Sequence, residues 1–248
     1  MNATSDAPGW LDWSAITTEP AHRALAAIVE RFDIRTRWSG LDHDEDRVRR
    51  AVLVLYARLG HAPAAAEIAA EASVPAGEIG AVLARLEARD ILRLDAATGA
   101  MLGAYPFTGD ESGHRVTLDG RGLNAMCSID ALGVGAMYGR DVTVESACRG
   151  CGAAIHVATG GDGTALARVS PPGALVWAAL HYAEGCAATS MCPLTVFFCC
   201  DAHLTAWRKE NPEVDGFALT MDEGVEVGRA IFGRRLAPAS GAPSGSDV

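Results

Sequence analysis

All seven cysteines of this 248-residue chain fall between Cys127 and Cys200, and none precedes them. They are Cys127, Cys148, Cys151, Cys186, Cys192, Cys199 and Cys200. An odd count cannot be fully paired. The segment Met1 to Trp13 carries Asp6 and Asp12 and no basic residue, unlike a secretory signal, so a reducing, cytoplasmic setting is expected. A disulfide framework is therefore a poor basis for the fold. An apolar core must hold the chain together, and 49% hydrophobic residues supply ample material for one. The thiols are then left for soft-metal or thiolate chemistry. A single buried cysteine is an ordinary small hydrophobe, but that reading fits seven in one segment poorly.

Charge and hydropathy narrow the partners. The formal net charge is −10, which argues against a nucleic-acid backbone as ligand, because such binding relies on clustered Lys and Arg. No uncharged apolar run reaches the ~18 residues of a membrane span, so no membrane partner is expected.

The periodicity predicts a helix from Glu19 to Phe32 and an acidic cap at Asp42 to Asp46. A helix follows from Glu45 to Leu59, ended by Gly60. Further helices are expected at Pro63 to Ala72 and Ala76 to Arg89, then a hairpin from Ile91 to Leu102 turning at Thr98-Gly99. That order is winged-helix-like. A winged helix usually lays its third helix in the major groove. Here six arginines between Arg49 and Arg93 face six acids between Glu67 and Asp95, so a structural or interaction module is the better expectation. After Pro106, short strands are expected at His114–Leu118, Asp141–Ala147, Ala153–Ala158, Leu175–Leu180 and Leu194–Phe198. A buried helix is expected over Leu123–Met137, with Cys127 and Asp130 inside it, and helices over Ala202–Glu210 and Met221–Phe232. The expected fold is α+β. It divides into an N-terminal extension (1–44), a winged-helix-like module (45–106), a small mixed or antiparallel-sheet domain with flanking helices (107–236) and a disordered Pro/Ser/Gly/Ala tail (237–248).

Within the thiol segment, Cys127 and Asp130 stand three apart, a spacing that puts a thiol and a carboxylate on one helix face. A thiolate there can attack an electrophile while the carboxyl group moves a proton. Cys148-Arg149-Gly150-Cys151-Gly152 has the form of a zinc knuckle, but a structural zinc needs four ligands. Cys192, Cys199, Cys200 or His156 could complete it; a packing or turn role is the plainer reading. Cys199 and Cys200, if on a continuing strand, point to opposite faces and cannot share one site. Cys186 sits in a loop with no motif around it.

Taken together, these segments resemble the organomercurial (alkylmercury) lyases, the MerB family. Asn124 to Leu132 is similar to the stretch holding that family's first catalytic cysteine and its aspartate. Gly139-Arg140 and Val142 to Cys148 resemble the continuation to its structural cysteine, with the 21-residue separation of Cys127 and Cys148 matching. Ser190-Met191-Cys192, with Phe197-Phe198 and Trp207 downstream, resembles the stretch of the second catalytic cysteine. The Phe-Phe register assigns that thiol to Cys192 rather than to the adjacent Cys199-Cys200 pair. The resemblance spans roughly Glu45 to Leu236, with two departures. Met126 stands where the family has an aromatic residue, and Pro193 replaces the residue beside the second thiol.

The resemblance implies protonolysis of a carbon–mercury bond. Cys127 and Cys192 would be the thiolates on mercury, and Asp130 would take a thiol proton and return one to carbon. Cys148 would be structural; the CxxC turn, not the resemblance, adds Cys151 as its companion. It further implies an apolar pocket of Met126, Ile129, Leu132 and Phe197, and Hg(II) held as product by Cys127, Cys192 and Asp130. No cofactor is required, and external thiols or a mercuric reductase would remove the product in mercury detoxification. Three other readings remain: a non-catalytic protein of the same fold that sequesters a soft metal, a winged-helix metal-responsive regulator, and a zinc-stabilised structural domain.

Overall fold

In a computed structural model, residues 9–183 and 185–237 are described; apart from Ala237, the expected disordered tail lies outside them. The N-terminal part is helical: α1 (Glu19–Arg31), α2 (Ile34–Arg37), α3 (His43–Leu59), α4 (Ala65–Ala72) and α5 (Ile79–Ala88). Asp42 starts α3 through a closed capping box. Its carboxylate accepts the Glu45 N–H at 2.8 Å, and the Glu45 carboxylate accepts the Asp42 N–H at 3.0 Å. Gly60 ends α3 at a φ of 80°, a backbone region that disfavours side chains. Val48, Val52 and Leu55 form the expected buried stripe.

Strands β1 (Leu92–Leu94) and β2 (Met101–Ala104) form the expected hairpin. The hairpin is not a free wing, because β2 pairs onward with β3 (Phe107–Thr108). It forms the edge of one eight-stranded antiparallel sheet that continues through β4 (Arg115–Leu118), β5 (Arg121–Ala125), β6 (Thr143–Ala147), β7 (Ala154–Gly160) and β8 (Ala165–Ser170). The strand order is β1-β2-β3-β5-β4-β6-β7-β8. Burial alternates along it: Ile155 and Val157 point inward, while Ala154 and His156 are exposed.

The chain between β5 and β6 is α6 (Ser128–Tyr138). The helix expected over Leu123–Met137 is therefore split. Leu123 and Ala125 belong to β5, where pairing with β4 and β3 overrides the helical apolar pattern. The remaining elements are β9 (Leu175–Ala179), α7 (Ala187–Ser190), β10 (Val196–Phe198), α8 (Asp201–Glu210), β11 (Gly216–Thr220) and α9 (Met221–Phe232). Strand β9 is the centre of a second, three-stranded sheet between β10 and β11. No helix of the described residues is long and apolar enough to cross a membrane.

Helices α6 and α9 cross at the centre of the core, in contact at Gly133 and Gly228. A Cβ on Gly228 would lie 2.8 Å from the Gly133 nitrogen and 2.9 Å from the Ile129 carbonyl, so only glycine permits this approach. Helix α1 also packs on α9. Trp10, Leu11, Phe32 and Trp38 are almost fully buried, so the residues expected to form an extension belong to the core. Gly228→Ala should gain about 1 kcal/mol of helix propensity but lose more to overpacking, for a net destabilisation of about 1–2 kcal/mol. Urea denaturation would read this as a lower midpoint at unchanged slope. An unchanged midpoint would mean that the two helices can separate without cost.

Candidate active site

Cys127 lies at the junction of β5 and α6 in an extended conformation (φ −150°, ψ 179°). It is the N-cap of α6, not a residue inside the helix as expected. The three-residue spacing still brings Asp130 to it, because the N-cap side chain accepts from the third helical N–H. Here the Asp130 N–H donates to the Cys127 Sγ at 3.4 Å.

Cys192 arrives from the other side, in the short 3₁₀ turn Cys192–Leu194 before β10. Thr195 fixes that turn. Its carbonyl accepts the Ser128 N–H at 3.1 Å, and its hydroxyl donates to the Met191 carbonyl at 3.1 Å and accepts the Ala179 N–H at 3.2 Å. The Ser128–Thr195 bond ties the two thiol-bearing turns together. The Cys192 thiol donates to Asp130 Oδ2 at 3.7 Å. One ligand atom from each of Cys127, Asp130 and Cys192 lies within 4.8 Å of the others, and all three residues are buried.

Burial dominates the electrostatics. It pushes the Asp130 carboxyl up to about 7, against contacts from both thiols and the charge of Arg235, which favour the carboxylate. Burial likewise pushes the Cys127 thiol up to about 11. The Cys192 thiol is raised well above its ordinary value, first by its contact with Cys127 and then by burial. At neutral pH both thiols are therefore protonated, and Asp130 is poised near half-ionisation. Arg235 is itself buried, with its guanidinium 3.5 Å from the Trp38 ring centroid.

The three groups open on a cavity of about 40 Å³, room for two or three water-sized groups. Of the walls the resemblance implied, Ile129 lines it, but Met126, Leu132 and Phe197 do not. Met126 faces a separate open depression of about 310 Å³ that shares Cys192. Leu132 faces Gly224 on α9, and Phe197 packs against His114. The walls are instead Ile28, Phe32, Ile34 and Trp38, all within residues 1–44, with Tyr105 and Met191. Their sequence carries only the ordinary signature of core residues, so nothing local marks them as pocket.

A second polar group, also unmarked in the sequence, braces the loop before Cys192. Buried Asp90, at a φ of 52°, accepts from the Tyr105 hydroxyl (3.1 Å), the Tyr182 hydroxyl (3.2 Å) and the Ala187 N–H (2.9 Å). The Tyr105 hydroxyl in turn accepts the Ala188 N–H at 2.7 Å.

Cys148 and Cys151 are not at this site. They occupy the β6–β7 turn, where they meet Cys199 and His203 beyond the far end of β10. Cys199 and Cys200 do approach one atom together, contrary to the strand argument. Strand β10 ends at Phe198 and Cys200 caps α8, which brings both sulfurs to His203 Nδ1, at 3.0 and 3.5 Å.

The family model described as alkylmercury lyase matches residues 107–233, more than half the chain. The chain is 29% identical over 168 residues to an alkylmercury lyase of Staphylococcus epidermidis, covering 68% of this chain and 74% of that protein. It is 28% identical over 178 residues to alkylmercury lyases of Bacillus cereus and Clostridium butyricum, covering 71% of this chain and 77% of each. In fold it is similar to the mercury-bound form of MerB2, with a TM-score of 0.71 at 20% identity, over 86% of this chain and all of that one.

The raised Asp130 carboxyl has a consequence for stability. Folded Asp130 keeps its proton to about pH 7, whereas the unfolded group loses it near its ordinary 3.8. Between these values the folded state binds more protons, so stability falls as pH rises through the window, by about 4 kcal/mol at about 1.4 kcal/mol per unit. Asp130→Asn removes this cost. It should melt higher than the parent protein at pH 8, with the difference closing near pH 4. Parallel melting curves across that range would count against a buried, protonated Asp130.

Proposed function

The chain belongs to the alkylmercury lyase family, and from that premise we propose that it cleaves carbon–mercury bonds by protonolysis, with Cys127 and Cys192 as thiolate ligands and Asp130 as proton carrier. The observation that carries this reading is the Asp130 carboxyl against both thiols beside a largely apolar cavity.

The starting state is two neutral thiols and a carboxyl titrating near neutrality. Mercury is soft and prefers sulfur to oxygen or nitrogen ligands. An organomercurial R–Hg–SR′ first exchanges onto one cysteine: an S–Hg bond forms, the Hg–SR′ bond breaks, and the thiol proton leaves with R′S⁻ as R′SH. The second thiol then transfers its proton to the Asp130 carboxylate as its sulfur joins mercury. With two thiolates on the metal, electron density moves toward carbon. The Hg–C bonding pair takes the proton held by Asp130, releasing RH and leaving Hg(II) on Cys127 and Cys192. Two protons leave the cysteines, one to R′S⁻ and one to carbon, so the balance closes without a cofactor.

Cys192 is also suited to product release, because it borders the open depression through which an external thiol could reach mercury. In this reading a mercuric reductase is a further acceptor. A carboxyl near pKa 7 suits both proton steps. Mercury sequestration alone needs the thiols but no acid, so Asp130 favours turnover over storage.

The test is benzene release from phenylmercury with excess small thiol. The parent protein should release benzene. Cys127→Ser and Cys192→Ser should each lose release. Asp130→Asn should lose release by about 10²–10⁴-fold while still binding Hg(II) through Cys127 and Cys192. Release by Asp130→Asn at the parental rate would remove Asp130 from the proton path. A parent protein that binds Hg(II) but releases no benzene would make this a sequestration protein.

A further inference from the structure

The four residues at the far end of β10 have the arrangement of a closed metal centre. Cys148 and Cys151 stand on the β6–β7 turn, Cys199 follows β10, and His203 is in the first turn of α8. One ligand atom from each lies within 4.8 Å of all the others. The individual separations are informative. Cys151 Sγ is 3.7 Å from Cys199 Sγ, and His203 Nδ1 is 3.0 Å from Cys199 Sγ and 3.8 Å from Cys148 Sγ. Around a tetrahedral zinc, with Zn–S about 2.3 Å and Zn–N about 2.0 Å, sulfurs stand ~3.8 Å apart and sulfur and nitrogen ~3.5 Å apart. The sulfurs are too far apart for a disulfide, whose S–S length is about 2.05 Å.

The backbone is built to the same purpose. The Cys148 N–H donates to the Ala153 carbonyl at 2.8 Å, the Gly152 N–H to the Cys148 carbonyl at 2.8 Å, and the Arg149 N–H to the Phe197 carbonyl at 2.9 Å. These bonds close the knuckle and clamp it to β10. A Cβ on Gly150 would lie 2.9 Å from the Cβ of His203, so glycine there lets the turn approach α8. The spacing is C-x₂-C, then C-x₃-H, drawn from two separate segments.

We propose that Cys148, Cys151, Cys199 and His203 hold a structural zinc ion, separate from the mercury-binding thiols. Three thiolates and one imidazole are a soft, nitrogen- and sulfur-only donor set of the kind zinc takes in closed sites. With four protein ligands no position remains for water or substrate, which makes the ion structural rather than catalytic. It links the β6–β7 turn, the end of β10 and the start of α8. Strand β10 begins directly after the Cys192 turn, so the ion anchors the far end of the strand on which Cys192 depends. Cys200, at 3.5 Å from His203 Nδ1, is not one of the four.

The test is elemental analysis of reduced protein produced without mercury. One zinc per chain is expected in the parent protein and in Cys127→Ser/Cys192→Ser, and none in Cys151→Ser/His203→Ala. Should that last variant fail to fold, cobalt loaded into the metal-stripped parent gives an independent reading. Sulfur-to-cobalt charge transfer and strong tetrahedral d–d bands are expected, unchanged in Cys127→Ser/Cys192→Ser. The proposal is overturned if the reduced parent takes up neither zinc nor tetrahedral cobalt. Loss of the ion from Cys127→Ser/Cys192→Ser, or a Cys151–Cys199 disulfide mapped in the native protein, would overturn it equally.

Discussion

Three ionisable groups buried together, with little water to share, set the terms for the rest of this molecule. Asp130 lies against Cys127 and Cys192 inside the core, where burial disfavours its charged form and theirs. The result is a proton inventory of two thiol protons and a carboxyl balanced near neutral pH. A soft electrophile can draw on it, because each new sulfur–metal bond releases a proton within reach of Asp130. The same burial makes the arrangement costly to fold, so the surrounding structure must hold it without relying on it for stability.

Much of that structure is devoted to position. The close crossing of α6 and α9 at Gly133 and Gly228 sets α6, and with it Asp130, against the second sheet. The Ser128–Thr195 hydrogen bond locks the two thiol turns together. Asp90, buried and bonded to two tyrosines and a backbone N–H, braces the loop before Cys192. Of these groups, Thr195 and Tyr105 also line the cavity itself.

Five of the seven cysteines thereby separate into two clusters at opposite ends of β10. One is buried, has a carboxylate and opens on a small apolar cavity. The other has an imidazole in place of the carboxylate and sits in a tight turn at the surface, with Cys151 exposed. The difference in third-party ligand matters: a carboxyl group can carry a proton to carbon, whereas a closed sulfur–nitrogen set can only hold an ion.

Several features were legible from residue order alone. The capping box at Asp42, the glycine stop at Gly60, most helices and the strands around the CxxC turn follow from local periodicity and cap chemistry, which act over a few residues. The proximity of Cys127 to Asp130 was local as well, although it arises from N-capping and not from a shared helix face. Other features needed the folded chain. Leu123 and Ala125 read as helix until pairing with β3 and β4 made them strand. Ile28, Phe32, Ile34 and Trp38 fall within the expected extension but wall the cavity. His203 joined Cys148, Cys151 and Cys199 only when the end of β10 turned both cysteine segments onto α8. The sequence by itself determined the chemical types available, thiols, carboxyl groups and an apolar core, because residue identity sets pKa range and softness. Tertiary structure alone decided which thiols meet which partner, because contacts between segments some fifty residues apart are set by sheet register and helix packing, which local patterns do not encode.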